Sequence, residues 1–438
     1  MSDINPIRKR LVYKIDAVLA SPALIGSGES ESTDSDVLLN SQGNPYLPGC
    51  ALAGVLRHVL TEEDAIQLFG WVENEKKKEN GKTKDNEKMS ALWVMDSSFY
   101  IAKDEKKIAL TQEDIIELDG VALDPENKVA LAKKKYDFQA VPKGAKLTLR
   151  LMLVLRNDQE ALEGITEQLL SRLRQGEISV GAKVGRGFGR VERTTIYRQV
   201  FDYQAHGKAA LNRWIDFDWD NKAGWEPYTP GQAGAGYATV TAELKLNGSI
   251  MIRDTRSLDG DEDFKHISCN GKPVIYGTSW AGAFRGGLHK LLMPLSKTET
   301  LQGKPVDKYL DEFFGFVREE RDLVEGDDRK QSASKLRFDM SILEREAGLE
   351  AEQGYRTITR VKINRFTGGA ADGALFTERP WVGGKTTLTI HYPVGDAECK
   401  KLIDLVLDAM QKGILTVGGE TAVGRGVFQK YPEGGDAA

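Results

Sequence analysis

A motif that occurs twice at one fixed separation restricts what this chain can fold into. The first copy reads Gly43-Asn-Pro-Tyr-Leu-Pro-Gly49 and continues to Gly54-Val-Leu-Arg57, and the second reads Gly271-Lys-Pro-Val-Ile-Tyr-Gly277 and continues to Gly282-Ala-Phe-Arg285. The separation is 228 residues at both ends (271 − 43 and 285 − 57). Because solenoid repeats are only ~20–50 residues long, a repeat of this length predicts two similar domains.

Three further matches follow in the same order in both halves. From the first half to the second they are Leu68-Phe-Gly70 with Phe313-Phe-Gly315, Ser90-Ala leading to Asp96 with Ser332-Ala leading to Asp339, and Gly185-Arg-Gly187 with Gly424-Arg-Gly426. In the last match, which lies in a glycine-rich loop, the separation has grown to 239 (424 − 185). We therefore expect insertions in the loops of the second half.

The duplication places one domain in each half of the 438-residue chain. We expect a first domain at 1–198, a connector at 199–236, a second domain at 237–432 and a tail at 433–438. The connector contains three tryptophans, and so many aromatic residues are rare in a free linker. We therefore expect these tryptophans to pack against one of the domains.

Hydrophobic periodicity gives the same element order in both halves. Each half begins with an alternating strand pattern, at Leu11–Leu19 and at Ala238–Leu246, and continues after its Pro/Gly turn with apolar residues at helical spacing. Later strands, a second helix and a closing strand follow. This order predicts an α+β fold of two tandem ferredoxin-like, or RRM-like, domains with loop and β-hairpin insertions.

The composition is that of a globular protein, with 40% hydrophobic and 29% charged residues. There is no secretory signal pattern, and no stretch approaches the ~18 apolar residues of a membrane span. Cys50, Cys269 and Cys399 form no CxxC pair, which argues against a structural zinc site and favours a reducing cytoplasm. The net charge of −5 argues against a uniformly basic nucleic-acid binder, so such binding would need local positive charge.

The motifs of the two halves resemble the RAMP superfamily, and in particular the backbone subunits of type III CRISPR effectors. The residues that carry the resemblance are Ser21-Pro-Ala-Leu-Ile-Gly-Ser-Gly28, Thr33-Asp-Ser-Asp-Val37, Pro45-Tyr-Leu-Pro-Gly49, Leu56-Arg57, the loop 181–189, and Arg365-Phe-Thr-Gly-Gly-Ala-Ala-Asp-Gly-Ala-Leu-Phe376. Their order and duplication are more specific than any single motif. Two such domains in one chain look like the fused backbone subunit of type III-D-like systems.

The resemblance implies a protein of the prokaryotic cytoplasm that holds guide CRISPR RNA and inserts a β-hairpin that flips a nucleotide at intervals. The implied partners are complementary target RNA and other CRISPR-associated effector subunits. It also implies a metal-dependent endoribonuclease in which an Asp before the Pro/Gly turn supports target cleavage. Asp34 aligns with that Asp, and Asp36 is the alternative. The carboxylate would bind a hydrated Mg²⁺, or another divalent cation, or take the proton of the attacking 2′-hydroxyl.

The second half departs from this pattern in its acidic loop. The 228-residue separation matches Asp34 with Glu262 rather than with an aspartate. Asp261 and Asp263 flank that position, and a slip of one residue would put either one in the catalytic place. The loop lacks the later bidentate Glu and the helices of an EF-hand, so a calcium site of that kind is not expected.

The expected RNA contacts lie in the glycine loops, at two helix N-termini, two turns further along the same two helices, and in the motif around Arg365. They are Gly49, Arg57, Lys183, Arg186, Arg190, Gly277, Arg285, Lys362, Arg365 and Arg425. Glycines let the backbone approach a phosphate, arginines add charge, and helix N-termini offer free N–H groups. A tight turn that needs positive φ would equally explain the glycines, and Arg57 and Arg285 would equally suit pairing with a local acid.

Three other functions are consistent with parts of the sequence. A non-catalytic guide-RNA scaffold would share the fold and the guide but would not cut. A guide-processing endoribonuclease of the same superfamily would usually rely on a histidine with Tyr or Lys, and the five histidines of this chain form no obvious catalytic pair. An unrelated two-domain, β-rich binding module would not co-purify with short RNA of defined length.

Overall fold

The computed structural model describes residues 5–27, 35–72, 78–79, 82–83, 87–104, 106–123, 130–254, 262–296, 304–316 and 331–431. Helices and mostly antiparallel strands alternate along these residues, which confirms the predicted α+β class. Among them, contacts divide the chain into two compact units. The first comprises residues up to 118, 137–184 and 188–236, and the second comprises 119–136, 185–187 and the residues from 237 onward.

The strands and helices described up to residue 236 comprise one eight-stranded sheet, three two-stranded pairs and four α-helices. They are β1 Ile7–Leu19, β2 Tyr46–Leu47, α1 Gly49–His58, α2 Glu62–Phe69, β3 Trp71–Val72, β4 Lys78–Glu79, β5 Lys82–Thr83, β6 Glu87–Lys88, β7 Leu92–Val94, β8 Ser97–Lys103, β9 Lys106–Ala109, β10 Ile116–Leu123, β11 Ala130–Ala140, β12 Lys146–Arg156, α3 Ala161–Arg174, β13 Val191–Asp202, α4 Tyr203–Ile215 and β14 Glu226–Tyr228.

From residue 237 the described elements again begin with a strand and end with a helix followed by a strand. They are β15 Tyr237–Asn247, β16 Ser249–Ile250, β17 Arg253–Asp254, β18 Phe264–His266, β19 Ser268–Cys269, β20 Lys272–Ile275, α5 Gly277–Ser296, α6 Val306–Phe314, β21 Arg337–Phe338, β22 Ser341–Ile342, β23 Gly354–Tyr355, β24 Ile358–Ile363, β25 Ala370–Arg379, β26 Trp381–Val382, β27 Lys385–Pro393, α7 Ala397–Gln411 and β28 Val427–Lys430.

The first strand of each unit lies in the middle of its sheet. β1 pairs antiparallel with β12 and β13, and β15 pairs antiparallel with β27 and β28. Alternate residues of β1, such as Leu11, Tyr13 and Ile15, are fully buried beneath α1 and α3, as a half-buried strand requires. The second unit builds its own core in the same way, with Leu388, Trp280 and Ile403 from β27, α5 and α7. Each half therefore has a complete hydrophobic core.

The glycine that begins the first helix of each unit is required by close packing. A Cβ on Gly49 would lie 2.3 Å from the carbonyl oxygen of Val94, and a Cβ on Gly277 would lie 2.2 Å from that of Phe338. No side chain fits at such distances, so both halves keep glycine at the start of α1 and α5. The repeated Pro/Gly motif thus marks a close approach between a helix and the edge of its sheet.

The structure corrects one of the sequence matches. Ser90 donates its hydroxyl hydrogen bonds to the carbonyl oxygens of Leu68 and Leu92, and Ser334 makes the same pair of bonds to Phe313 and Leu336. Ser334, and not Ser332, is therefore the counterpart of Ser90. It follows that Asp96 and Asp339 are not equivalent, because they lie six and five residues after these serines.

The connector tryptophans pack on the first unit, as their number in the sequence predicts. Phe201, Val12 and Met152 form an apolar patch on the face of the sheet opposite the core, and Trp214, Phe217, Trp219 and Trp225 cover it. Arg10 and Lys14 lie 4.6 and 5.0 Å from the ring centroids of Trp214 and Trp225, at cation–π distance.

The corresponding face of the second sheet is polar. Val12 pairs with Met152 in the first sheet, whereas Thr239 pairs with His391 at the same place in the second. The His391 Nε2 lies 3.1 Å from the Asp339 carboxylate, and its Nδ1 lies 3.0 Å from the Thr239 hydroxyl. The two sheets thus share their pairing but differ in the chemistry of one face.

None of the helices in the described ranges combines the length and the apolar character that a bilayer span needs.

Candidate RNA interface and cleavage loops

The acidic loop of the first unit is described from Ser35 onward. Ser35 forms a parallel bridge with Phe138 of β11, and the Gln139 N–H donates to the Ser35 carbonyl at 2.9 Å. The next residue, Asp36, accepts the Ser27 N–H through its backbone carbonyl at 2.9 Å. The loop is therefore fixed against the second strand of the β10–β11 hairpin. Asp34 lies outside the described residues.

The acidic loop of the second unit contacts the same part of its own hairpin. Asp263 is exposed and is clamped to Thr377 of β25 by two hydrogen bonds. Its N–H donates to the Thr377 carbonyl at 2.7 Å, and its Oδ2 accepts the Thr377 N–H at 2.8 Å. Glu262 instead faces Arg379 at 3.5 Å. Asp261 lies outside the described residues.

Strand pairing decides which acidic residue of the second unit matches Asp34. The bridge of Ala23 with Val141 corresponds to that of Ile250 with Trp381. Phe138 lies three residues before Val141, and Glu378 lies three residues before Trp381. Phe138 pairs in parallel with Ser35, and Glu378 pairs in parallel with Phe264. Ser35 and Phe264 are therefore equivalent. The residue before Phe264 is Asp263, so the one-residue slip from Glu262 selects Asp263.

The two glycine loops share an unusual backbone. Positive φ angles recur at four matched positions, each pair separated by 237 residues: Gly181 and Gly418, Lys183 and Glu420, Gly187 and Gly424, and Gly189 and Gly426. A Cβ on Gly189 or Gly426 would lie 1.7 or 1.8 Å from the carbonyl oxygen of Val180 or Val417. These glycines are thus needed for the turn itself, whether or not the loop contacts a phosphate.

This register shows that matching Arg425 with Arg186 is wrong. At a separation of 237, the counterpart of Arg425 is Phe188. Arg425 is only 3% exposed, and its guanidinium forms a bidentate pair with Glu378 and lies 3.1 Å from Glu420. A guanidinium held in this way is not presented to an RNA phosphate, so Arg425 has a structural role in this conformation.

The three predicted cations of the first loop have different surroundings. Lys183 lies with its Nζ 3.6 Å from the ring centroid of Phe138. Arg186 is exposed in the turn after Lys183. The backbone of Arg190 is bonded to Ser21 and Ala20, with its N–H donating to the Ser21 hydroxyl at 3.1 Å. Of the three, Arg186 is the most open to a phosphate.

The predicted RNA-contacting groups on α1 and α5 mostly bind other groups of the protein. The Gly49 N–H donates to Asp96 Oδ1 at 2.7 Å, so that amide already has an anionic acceptor. Arg57 donates to the carbonyl of Gly70 at 3.0 Å, and Arg285 pairs with Asp311 at 2.8 Å. Gly277 is required by packing. Pairing with a local group, the alternative weighed for these arginines, is what the structure shows.

The β24–β25 hairpin brings together predicted cations and an aromatic residue that the sequence analysis did not single out. Lys362 and Arg365 are exposed, and Phe366 between the strands is 100% exposed. Ile363 and Leu375 are also mostly exposed. Asn364 holds the turn by accepting the N–H groups of Phe366 and Thr367 at 2.9 and 3.2 Å. Such an apolar tip with cations beside it is typical of a binding surface.

No three His, Cys, Asp or Glu side chains cluster as a metal site within the described ranges. The Asp263 carboxylate accepts the Thr377 amide through Oδ2, which leaves Oδ1 for another ligand. A single carboxylate fits Mg²⁺, which keeps several waters and commonly takes its remaining ligands from substrate phosphates. His266 does not add to the site, since it is fully buried and its Nδ1 accepts the Ile252 N–H at 3.1 Å.

Comparison with known proteins gives one family. The family model described as the RAMP superfamily matches residues 16–192 and 243–429, once in each half. Among solved structures, one similar chain belongs to the cryo-EM structure of type III-B Cmr-beta in the apo state. It is 13% identical, with a TM-score of 0.31, over 41% of this chain and 95% of that chain. A search of curated proteins finds no match.

Proposed function

Because this chain belongs to the RAMP superfamily through both of its halves, we propose that it is a guide-RNA-binding backbone subunit of a type III CRISPR effector that also cleaves target RNA. The observation that carries the proposal is the placement of Asp263. Its carboxylate is fixed to the same strand, β25, that leads to the exposed apolar hairpin tip. A surface for RNA and a carboxylate for chemistry therefore share one element.

RNA binding follows from the composition of the hairpin. Phe366, fully exposed, offers a face on which a base can stack, and base–aromatic stacking contributes ~1–3 kcal/mol. Lys362 and Arg365 add positive charge for the adjacent phosphates. Binding of this kind does not depend on the base sequence of the RNA, and a subunit that accepts any guide requires such independence. It also needs no positive total charge, which reconciles the net charge of −5 with an RNA partner.

Cleavage would use the target's own 2′-hydroxyl. The 2′-oxygen attacks the adjacent phosphorus, the bond to the 5′-oxygen of the next nucleotide breaks, and the departing 5′-oxygen takes a proton from water, so that a 2′,3′-cyclic phosphate and a 5′-hydroxyl remain. We assign to Asp263, and to its counterpart Asp34, the role of taking the 2′-hydroxyl proton or of holding a metal-bound water beside it. Mg²⁺ held by this carboxylate would supply charge stabilisation of the phosphate.

Mapping of target fragments tests the proposal in the assembled complex. We expect Asp34→Asn and Asp263→Asn each to remove one cut and to leave target binding intact, because each deletes a single carboxylate. Asp36→Asn should keep both cuts if Asp34 is the catalytic residue. Removal of divalent cations with EDTA should stop both cuts.

Asp404→Asn serves as the matched control, since Asp404 is a surface carboxylate paired with Lys400 on α7. If the Asp34→Asn and Asp263→Asn complexes both give an unchanged set of fragments, the proposed cleavage role of this subunit is wrong. The subunit would then be a guide-RNA scaffold without nuclease activity of its own.

A further inference from the structure

Three matched positions connect the glycine loop of each unit to its hairpin. In the first unit they are Lys183 and Phe188 from the loop and Phe138 from β11. The rings of Phe138 and Phe188 meet edge to face with centroids 5.6 Å apart, and the Lys183 ammonium lies over the Phe138 ring at 3.6 Å. This contact is apolar with one cation–π component.

The second unit makes the same connection with charges. Its three positions carry Glu420, Arg425 and Glu378. Arg425 pairs with Glu378 through both guanidinium nitrogens and lies 3.1 Å from Glu420. Arg360 of β24 joins both carboxylates, at 2.8 Å from Glu378 and 3.3 Å from Glu420, and Arg253 adds a pair with Glu420 at 2.9 Å.

The central pair lies in the protein interior, where an unpaired charge is not tolerated. The side chains of Glu378 and Arg425 are 0% and 3% exposed. Burial raises the pKa of Glu420, but the hydrogen bond from Arg253 and the charge of Arg425 outweigh it, and the pKa is lowered overall. The Glu420 carboxylate is thus held ionised by guanidinium groups, and the Arg425–Glu378 contact is directional because it is bidentate.

The buried pair is one residue away from the cleavage loop. Glu378 follows Thr377, which holds both the backbone and the carboxylate of Asp263. Glu378 also pairs with Phe264, the residue after Asp263. A shift of Glu378 would therefore move Thr377 and Asp263 with it. The chain of contacts runs from the glycine loop through Arg425 and Glu378 to the Asp263 carboxylate.

We propose that Glu378 and Arg425 are positioning residues that hold the Asp263 loop in register on β25 for the cut made by the second unit. The proposal rests on the cleavage function proposed for Asp263. Neither residue touches the substrate. The first unit does the same with Phe138 and Phe188, so the two cleavage loops are held by different chemistry at equivalent positions.

Two variants in the assembled complex test this role. Arg425→Phe leaves Glu378 without its bidentate partner. The triple variant Glu378→Phe, Glu420→Lys and Arg425→Phe installs the residues of the first unit at all three positions. Single-turnover rates of the two cuts are measured separately, and the cut that depends on Asp34 is an internal control within the same particle. Asp404→Asn is the control for loss of an ion pair elsewhere in the second unit.

We expect Arg425→Phe to slow the Asp263-dependent cut by on the order of 10- to 100-fold, the size expected for a displacement of about 1 Å. It should leave target affinity and the Asp34-dependent cut unchanged. The slowed cut should need more Mg²⁺, and the Thr377 amide should exchange its hydrogen faster. Combined with Arg253→Ala and Arg360→Ala, which remove the guanidinium groups left without Glu378 and Glu420, the triple variant should restore the rate to within about threefold, because it supplies a contact that already works in the first unit.

The outcomes separate the two proposals. If Asp263→Asn removes a cut that Arg425→Phe leaves at full rate, the positioning role is wrong and the cleavage function stands. Slowing of both cuts to the same extent also overturns it, since a general loss of folding or binding would then be the cause. A complex with Asp263→Asn that keeps every cut overturns the cleavage function of the second unit, and the positioning role with it.

Discussion

At the residue scale, His266 shows how strongly the interior of the second unit constrains protonation. Burial lowers the pKa of His266 to about 3, while a backbone hydrogen bond with Val274 has a smaller opposite effect. The neutral ring is required because Nδ1 accepts the Ile252 N–H. His266 therefore joins β18 to the residues before β17.

The depressed pKa makes a prediction about stability in acid. The unfolded chain binds a proton at His266 as the pH falls below about 6.5, whereas the folded chain does so only near 3. Stability from this residue is complete above about 6.5 and is lost as the pH falls towards 3, at up to about 1.4 kcal/mol per pH unit. His266→Asn keeps an acceptor for Ile252 and should flatten this dependence in denaturant unfolding between pH 6.5 and 4.5. His58→Asn, at an exposed histidine, should not.

The sequence predicted that the two glycine loops are equivalent, but it aligned one arginine of the second loop with the wrong residue of the first. Gly-Arg-Gly occurs in both loops, and this likeness pointed to a match between Arg186 and Arg425. The backbone instead aligns Phe188 with Arg425, because the positive-φ positions must coincide. The equivalence of two positions that carry an apolar and a charged side chain cannot be recognised without knowing the backbone conformation. The same limit applied to Ser334, whose hydrogen bonds identify it as the counterpart of Ser90.

At the element scale, the β24–β25 hairpin is the clearest departure from an ordinary solvated loop. Its tip residue, Phe366, is fully exposed, and it makes no contribution to the core of the second unit. The sequence contained a signal for this in an aromatic between Arg365 and a Thr-Gly-Gly turn. The motif carries the family resemblance and predicts RNA contact through its cations, but it does not distinguish Phe366 from a core residue, since an aromatic side chain in a sequence is more often part of a core.

The exposed tip predicts a variant that separates binding from folding. Phe366→Ala should change the free energy of unfolding by no more than about 0.5 kcal/mol, as expected for a surface position. It should weaken guide-RNA binding by about 1–3 kcal/mol through loss of stacking. Phe284→Ala, in the core beneath the second sheet, is the contrasting control and should unfold the unit at lower denaturant concentration. Unchanged RNA affinity in Phe366→Ala would exclude the tip from the interface.

Elements were predicted well where periodicity was strong and poorly where pairing was long-range. The alternation in β15 and the helical spacing in α5 are local features, and both elements are present. The parallel bridge between Phe264 and Glu378 joins residues more than one hundred positions apart. No local pattern encodes it, and so the sequence left Asp261 and Asp263 undecided.

At the scale of the whole molecule, the net charge of −5 means that the proposed RNA binding depends on a few local cations. Each phosphate contact contributes roughly 0.7 to the slope of the logarithm of affinity against the logarithm of salt concentration for single strands. Lys362→Ala should therefore reduce this slope by about 0.7 in filter binding of guide RNA between 50 and 300 mM KCl. Lys412→Ala removes a surface cation paired with Asp408 and should leave the slope unchanged. Equal slopes for both variants would show that Lys362 contacts no phosphate.

The aromatic cover on the first sheet has a practical consequence for dissecting the protein. A fragment that ends at residue 198, where the sequence places the end of the first domain, would lack Phe201 and all the aromatic residues of the connector. Val12 and Met152 would then form an apolar surface exposed to water, and the fragment would tend to aggregate. A fragment that ends at Gly236 keeps the connector aromatics that cover this surface and should remain monodisperse. The boundary for expression therefore belongs after the connector and not before it.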